Sequence, residues 1–533
     1  MFKKYTIPFV LISVSFLAAT AQDKSVIEKY AASITAQDAS RHLTILASDW
    51  MEGRETGERG QKMAAAYLAD QFKNFELKPV VKEGDSYSYY QKFDLEKRAW
   101  KDVTMSIDTS KKIFLKDFFL TGDFDIPTEE KSELVFVGYG IDAPTYSDYK
   151  FSNGKFHTSI KGKTVVLFTG EPFKDSVSAV TKTNATSAWA NDWRKKASTA
   201  KELGAKNVIV IVGNVDNDFV NRLNQIKSHL AQPTLGFTHK QRSASAIFVS
   251  VSTAAQLFGK SFDEFIKLRD ERSSLIVSGK APKKTTVPTF VKLKVEVEKT
   301  KVSTENVLGL IEGTDKKDEI IVLTAHYDHI GKEGDKIYFG ADDDGSGTTA
   351  LIELAEAFSM AAREGYRPRR SILIMPVTAE EKGLMGSEYY TDKPVFPLSK
   401  TVADLNIDMI GRLDSAHLDN PNYVYIIGSN RFSSELHEIS EKANTNSVNI
   451  KLDYRYNSFD DPNRFYFRSD HYNFAKNNIP VIFYFNGVHA DYHKPTDSVD
   501  KINFDKLAKI TRLVFYTAWD LANRDERIKL DVK

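Results

Sequence analysis

Apolar and polar positions divide the chain into three stretches of different texture. Over residues 25–72, Leu43, Leu46 and Ala47, then Ala64, Tyr67, Leu68 and Phe72, recur at helical spacing. They predict two helices, parted by the glycine-bearing run Glu52-Gly53-Arg54-Glu55-Thr56-Gly57. From Lys131 onward, short apolar runs predict strands at 134–137, 164–168 and 208–212, with a helix over 193–203. Residues 279–285 close this region with the composition of a linker. From about residue 304 strand and helix alternate, with strands expected over 320–325, 372–377, 402–407, 423–427 and 481–485. A helix over 348–362 turns Leu351, Leu354, Ala355 and Phe358 inward. Such alternation implies an α/β domain with a largely buried sheet, whose active site lies beyond the carboxyl ends of its strands.

At 533 residues the chain exceeds one ordinary hydrophobic core, so two or more domains are expected. Its 73 Lys and Arg nearly cancel 72 Asp and Glu, which gives no global field for nucleic acid or an anionic membrane. Lys3 and Lys4, the apolar run 7–18 and small residues at 19–21 read as a secretory signal, cleaved before Gln22. The apolar run is too short to span a bilayer and no later segment is apolar enough, so the mature protein is expected to be periplasmic or extracellular, without a membrane span. The chain has no cysteine, which excludes disulfides and a lipid-modified cysteine. No feature of the sequence fixes an oligomeric state.

Of 11 histidines, five fall within residues 325–329 and 471–493. His326 ends a strand and shares a face with Asp328, which suits either a metal-bound imidazole or a hydrogen-bonded strand end. Asp342, Asp343 and Asp344 stand together before a helix start. They read as a capping loop or, since adjacent carboxylates repel, as a site where one carboxylate bridges two metals. Glu380 and Glu381 follow a strand, as a surface turn or as a general base beside a metal ligand. Asp408 lies in an apolar strand and needs a cation or a salt bridge. The loop 491–497 offers Tyr492 and His493.

Taken in order, AHYDHIG (325–331), GADDDGSG (340–347), AEEKGLMGS (379–387), LNIDMIG (405–411) and DYHKPTDSVDKI (491–502) resemble the co-catalytic two-zinc aminopeptidases. Relatives of that family include the glutamate carboxypeptidases and, more remotely, the glutaminyl cyclases. The opening LASDWMEGRETGERGQKMAAAYL (46–68) resembles its amino-terminal helices. The resemblance implies a mixed, mostly parallel central sheet flanked by helices, and two zinc ions. His326 and Asp408 would hold one zinc, Glu381 and His493 the other, with Asp343 bridging. Glu380 would be the general base for a metal-bridging hydroxide, Tyr492 an oxyanion donor, and Asp328 a support for His326. Asp470 also matches a family stretch, without an assigned role.

Gly138 to Ile141, 163–168 and 196–211 resemble the protease-associated insert of the same family. The expected organisation is a signal peptide over 1–21, a catalytic domain over 22–129 and 286–533, and a smaller β-rich protease-associated insert over 130–285. The function implied is hydrolysis of amino-terminal residues from peptide substrates. A dipeptidase or carboxypeptidase on the same scaffold would need a cationic carboxylate anchor, for which Arg412, Arg455, Arg464 and Arg468 lie in suitable loops. A non-catalytic binding protein would have lost metal ligands, and this chain keeps all five. The same complete set argues against a single-zinc cyclase.

Overall fold

Strands buried on both faces carry no polar side, and the runs of the carboxyl-terminal region have that composition. In a computed structural model, which describes residues 25–151, 153–156, 159–238, 244–282 and 286–532, these runs are central strands. The signal expected over 1–21 lies outside the described residues, as does part of the expected linker. Two compact units divide the chain: one runs to Asp94 and resumes at Val302, the other spans Leu95–Lys301.

In the first unit helices α1 (Ala36–Leu46) and α2 (Arg59–Asn74) precede β1 (Lys316–His326), α3 (Gly345–Arg363), β2 (Arg370–Val377) and β3 (Thr401–Ile407). Then come β4 (Tyr423–Ile427), β5 (Val481–Phe485) and α4 (Phe504–Asn523). The eight-stranded sheet runs Lys78–Pro79, Gly309–Ile311, β2, β1, β3, β5, β4, Lys451–Asp453. Its middle is parallel, β2 with β1, β1 with β3 and β3 with β5, while β4 returns antiparallel to β5. The sheet is therefore mixed and flanked by helices, as expected. Alternate residues of one strand enter different cores. Ile321 and Leu323 meet Leu351, Phe358 and Leu513 on the α3–α4 side, whereas Val322 joins Leu373, Phe474 and Phe483 on the other.

The second unit has its own nine-stranded sheet with a parallel centre of Ile126–Phe136, Thr164–Phe168, Asn207–Ile211 and Ala246–Val249. The division falls outside the expected boundaries at 130 and 285, because Tyr90–Ile107, Phe118–Thr121 and Thr286–Val307 pair into this sheet. Tyr90–Ile107 mixes Glu96, Lys97, Arg98, Lys101 and Asp102 with its apolar residues, so no apolar run announces it.

Helix α1 is tied to α3 by a buried polar cluster. Glu353 accepts from the Thr35 backbone N–H at 3.2 Å and faces His42, whose Nδ1 lies 2.6 Å from the Tyr67 hydroxyl. Burial pushes Glu353 from its ordinary 4.5 up to about 8 and holds His42 down at about 4, so near neutral pH neither carries charge against the other. The folded chain then keeps a proton on Glu353 that the unfolded chain has lost between about pH 4.5 and 8, so stability falls as pH rises through that window. Replacing Glu353 by Gln is expected to flatten this dependence and to stabilise the protein at pH 8 by on the order of a few kcal/mol. Denaturant titrations at pH 5 and pH 8 check it; an equal effect at both pH values contradicts it.

Candidate metal centre

Strand register brings the chemistry to one edge. His326 of β1 is level with Val377 of β2, Thr324 with Asn406 of β3, and Ile407 with Tyr484 of β5. Residues that follow these strands, Glu380 and Glu381 after β2, Asp408 after β3 and the 488–497 loop after β5, therefore share the carboxyl-terminal rim. Three of these connections hold strained backbone: Ala379, Met409 and His493 each have φ of 56°. Non-glycine residues in the left-handed region cost about 1–3 kcal/mol each and cluster at functional sites.

The three adjacent aspartates point three ways. Asp344 caps α3, accepting from Gly347 N at 2.8 Å, and also accepts from the backbone N–H of His326 and Met409. Asp342 accepts from Gly411 N and faces His489 Nε2 at 3.3 Å. Asp343 turns into the rim, with Oδ1 3.3 Å from His326 Nε2 and Oδ2 3.1 Å from His493 Nε2. Asp344 thus takes the capping position, and Asp343 lies between the two imidazoles.

Around Asp343 two donor groups form. Asp408 Oδ1 lies 3.7 Å and Glu380 Oε2 3.9 Å from His326 Nε2. On the other side Glu381 Oε2 is 3.2 Å from His493 Nε2. Among the described residues, two sets bring one donor atom each within 4.8 Å of one another: His326 with Glu380 and Asp408, and His329 with Asp343 and Glu381. His329 was not among the expected ligands, although it lies in the same sequence window as His326.

These residues fit divalent cations. Asp343 Oδ2, Glu381 Oε1 and Asp408 Oδ1 are buried without a hydrogen-bond partner, an arrangement costly unless a cation neutralises them. Nitrogen and oxygen donors without thiolate suit zinc. Zinc bonds of about 2.0–2.2 Å place tetrahedral donors about 3.3 Å apart, close to the separations of Asp343 from His326 and His493. Without a cation the groups share protons instead. Against burial and the Asp343 charge, His329 and His493 hold Glu381 down at about 2. Burial lowers His493, but Asp343 and Glu381 outweigh it and raise the imidazole to about 10. Burial pushes Glu380 well above the usual carboxylate range, with His326 opposing and Glu381 adding.

Surrounding contacts fix these side chains. The Ser469 hydroxyl donates to Asp408 Oδ2 at 2.7 Å. His326 Nδ1 faces the backbone carbonyl of Asp328 at 3.1 Å, whereas the Asp328 carboxylate accepts from Thr56 and from Glu380 N. Asp328 thus supports His326 through its main chain and Glu380 through its side chain. Asp497 Oδ2 accepts from the backbone N–H of Asp342 and Asp343, which ties the loop carrying Tyr492 and His493 to the aspartate turn. The Tyr492 ring stacks on His493 at 3.8 Å. Asp470 accepts from Ser387, and burial raises it to about 7. Met409, Phe465, Phe483, Phe485 and Val488 line the cavity beside Glu380 and Tyr492, with Arg468 among its walls.

Arg54, fully buried within the run that parts α1 from α2, donates to the carbonyls of Leu46, Tyr327, Phe339 and Gly340. It joins the segments that carry His326 and Asp343. Arg54→Ala orphans four acceptors and is expected to destabilise the protein by at least about 3 kcal/mol and to weaken metal binding. Denaturant unfolding of the metal-free protein checks it, and a loss under about 1 kcal/mol, the size of one hydrogen bond, contradicts it.

The sequence profile of peptidase family M28 matches residues 306–518. A probable glutamate carboxypeptidase of Arabidopsis thaliana is 38% identical over 105 residues, 20% of this chain and 14% of its own length. Aminopeptidase YwaD of Bacillus subtilis is 24% identical over 238 residues, 43% of this chain and 47% of its own. The chain therefore spans less than half the length of either curated relative. The solved aminopeptidase from Aneurinibacillus sp. strain AM-1 superposes with a TM-score of 0.55 at 19% identity, covering 95% of this chain and 98% of that one, and establishes the shared fold. The stretch that carries all five expected ligands thus lies within the residues that match peptidase family M28.

Proposed function

We propose that this protein is an exported zinc-dependent metallopeptidase that removes amino-terminal residues from peptides. The observation that carries the reading is the position of Asp343, with one carboxylate oxygen facing His326 and the other facing His493. His326 and Asp408 would hold one zinc ion, Glu381 and His493 the other, and Asp343 would serve both. Bound there, zinc supplies Lewis acidity and a water that loses its proton near neutral pH. The protein's own groups do the rest. Glu380, half-buried and fixed through its backbone N–H to Asp328 at 3.1 Å, takes up the proton and returns it to the leaving amine. Tyr492, stacked on His493, offers its hydroxyl to the carbonyl oxygen as charge develops. The apolar wall accepts the side chain of the residue removed and keeps water out. The charged start and apolar run over 1–21 support export, and no helix among the described residues is long and apolar enough to cross a membrane. GYGI and the 196–211 motif support reading the middle region as a protease-associated insert.

One observation favours a second reading. Of the four arginines suited to anchor a substrate carboxylate, Arg412 is paired with Asp491 at 2.9 Å and Arg455 stands near Asp453. Only Arg468 lines the cavity, lying over Phe465 and forming no ion pair among the described residues. A dipeptidase would use such a cation.

Glu380→Gln is expected to lower kcat on amino-acid anilides by about 10²–10⁴-fold with zinc content unchanged, and Tyr492→Phe by about 10²–10³-fold. Kinetics on an anilide panel, with metal analysis of each variant, check both. Wild-type cleavage of dipeptides but of neither anilides nor dipeptide amides favours the second reading. Full activity in Glu380→Gln contradicts both readings.

A further inference from the structure

We infer that His329 positions Glu381: its imidazole Nδ1–H holds the Oε1 oxygen, so that Oε2 alone is presented beside His493. The inference rests on the two-zinc reading above.

Glu381 sits between two imidazoles that approach different oxygens. His493 Nε2 is 3.2 Å from Oε2 and 3.1 Å from Asp343 Oδ2, near-equal separations that suit one shared cation. His329 Nδ1 is 2.8 Å from Oε1 and 3.8 Å from Asp343 Oδ2, an unequal pair that suits a hydrogen bond to one carboxylate. Oε1 and both ring nitrogens of His329 are buried without a hydrogen-bond partner, and the 2.8 Å approach of Nδ1 to Oε1 sets two of these atoms against each other.

The surroundings fix the imidazole rather than the carboxylate. His329 is fully buried, its backbone N–H donates to the Arg54 carbonyl, and its ring lies against Gly340. A Cβ at Gly340 would stand 2.5 Å from the ring atoms Cδ2 and Cγ, so glycine there makes room for the ring. His493, by contrast, is 38% exposed in its side chain and lies on a loop. The rigid imidazole thus orients Glu381, and the looser one completes the donor set. Outer contacts of this kind set metal affinity by about 10–100-fold.

The test measures zinc affinity by chelator competition in the full chain, comparing wild type with three variants. His329→Leu, close in volume but without a donor, is expected to weaken one of two zinc sites about 10–100-fold and leave the other within about threefold. His329→Asn, which keeps an N–H near the Nδ1 position, is expected to restore most of that loss. His493→Ala is expected to abolish the weakened site. The role is overturned if His329→Leu binds both ions as wild type does, or if Asn binds no better than Leu while the metal-free proteins melt alike. It is also overturned if His493→Ala retains two zinc ions, because His329 is then itself a ligand. Should the leucine variant not fold, a His329→Asn protein that folds but lacks the second ion overturns it. Wild type that binds fewer than two ions refutes the two-zinc reading itself, an outcome distinct from any difference among variants.

Discussion

Buried like charge is the constraint around which this domain is organised. Asp343, Glu381 and Asp408 converge at one sheet rim with Glu380 beside them, and three of their carboxylate oxygens have no hydrogen-bond partner. Carboxylates so placed repel one another and lose hydration, which a protein tolerates only with compensating cations or protons. His326 and His493 supply part of that compensation in the metal-free protein, and divalent ions would supply the remainder.

Holding such a cluster requires a rigid frame. The parallel strands β1, β2, β3 and β5 are buried on both faces, and their register fixes where each acidic connection begins. Arg54 then ties the β1 end to the aspartate turn, and Asp497 ties the histidine loop to the same turn. The strained φ values at Ala379, Met409 and His493 persist because this frame over-determines them. Stability in the frame and tension at the rim are two aspects of one arrangement.

Much of this was legible in the sequence, for reasons specific to each element. The central strands announced themselves because burial on both faces demands uninterrupted apolar runs, as in 320–325 and 481–485. His326, Asp343, Glu381, Asp408 and His493 were legible as a candidate set through motif order. Spacing alone left each open to a structural explanation, and Asp344 does cap its helix. The roles of Arg54 and His329 were not legible, since each acts on segments distant in sequence. The unit boundaries were hidden too, because Tyr90–Ile107 and Thr286–Val307 interleave charged with apolar residues and form no apolar block.

The most direct test of the two-zinc proposal is anomalous diffraction at the zinc edge from crystals of wild-type protein grown with zinc. Two peaks are expected on either side of Asp343, one beside His326 and Asp408, the other beside Glu381 and His493. A single peak, or none at this rim under saturating zinc, would contradict it.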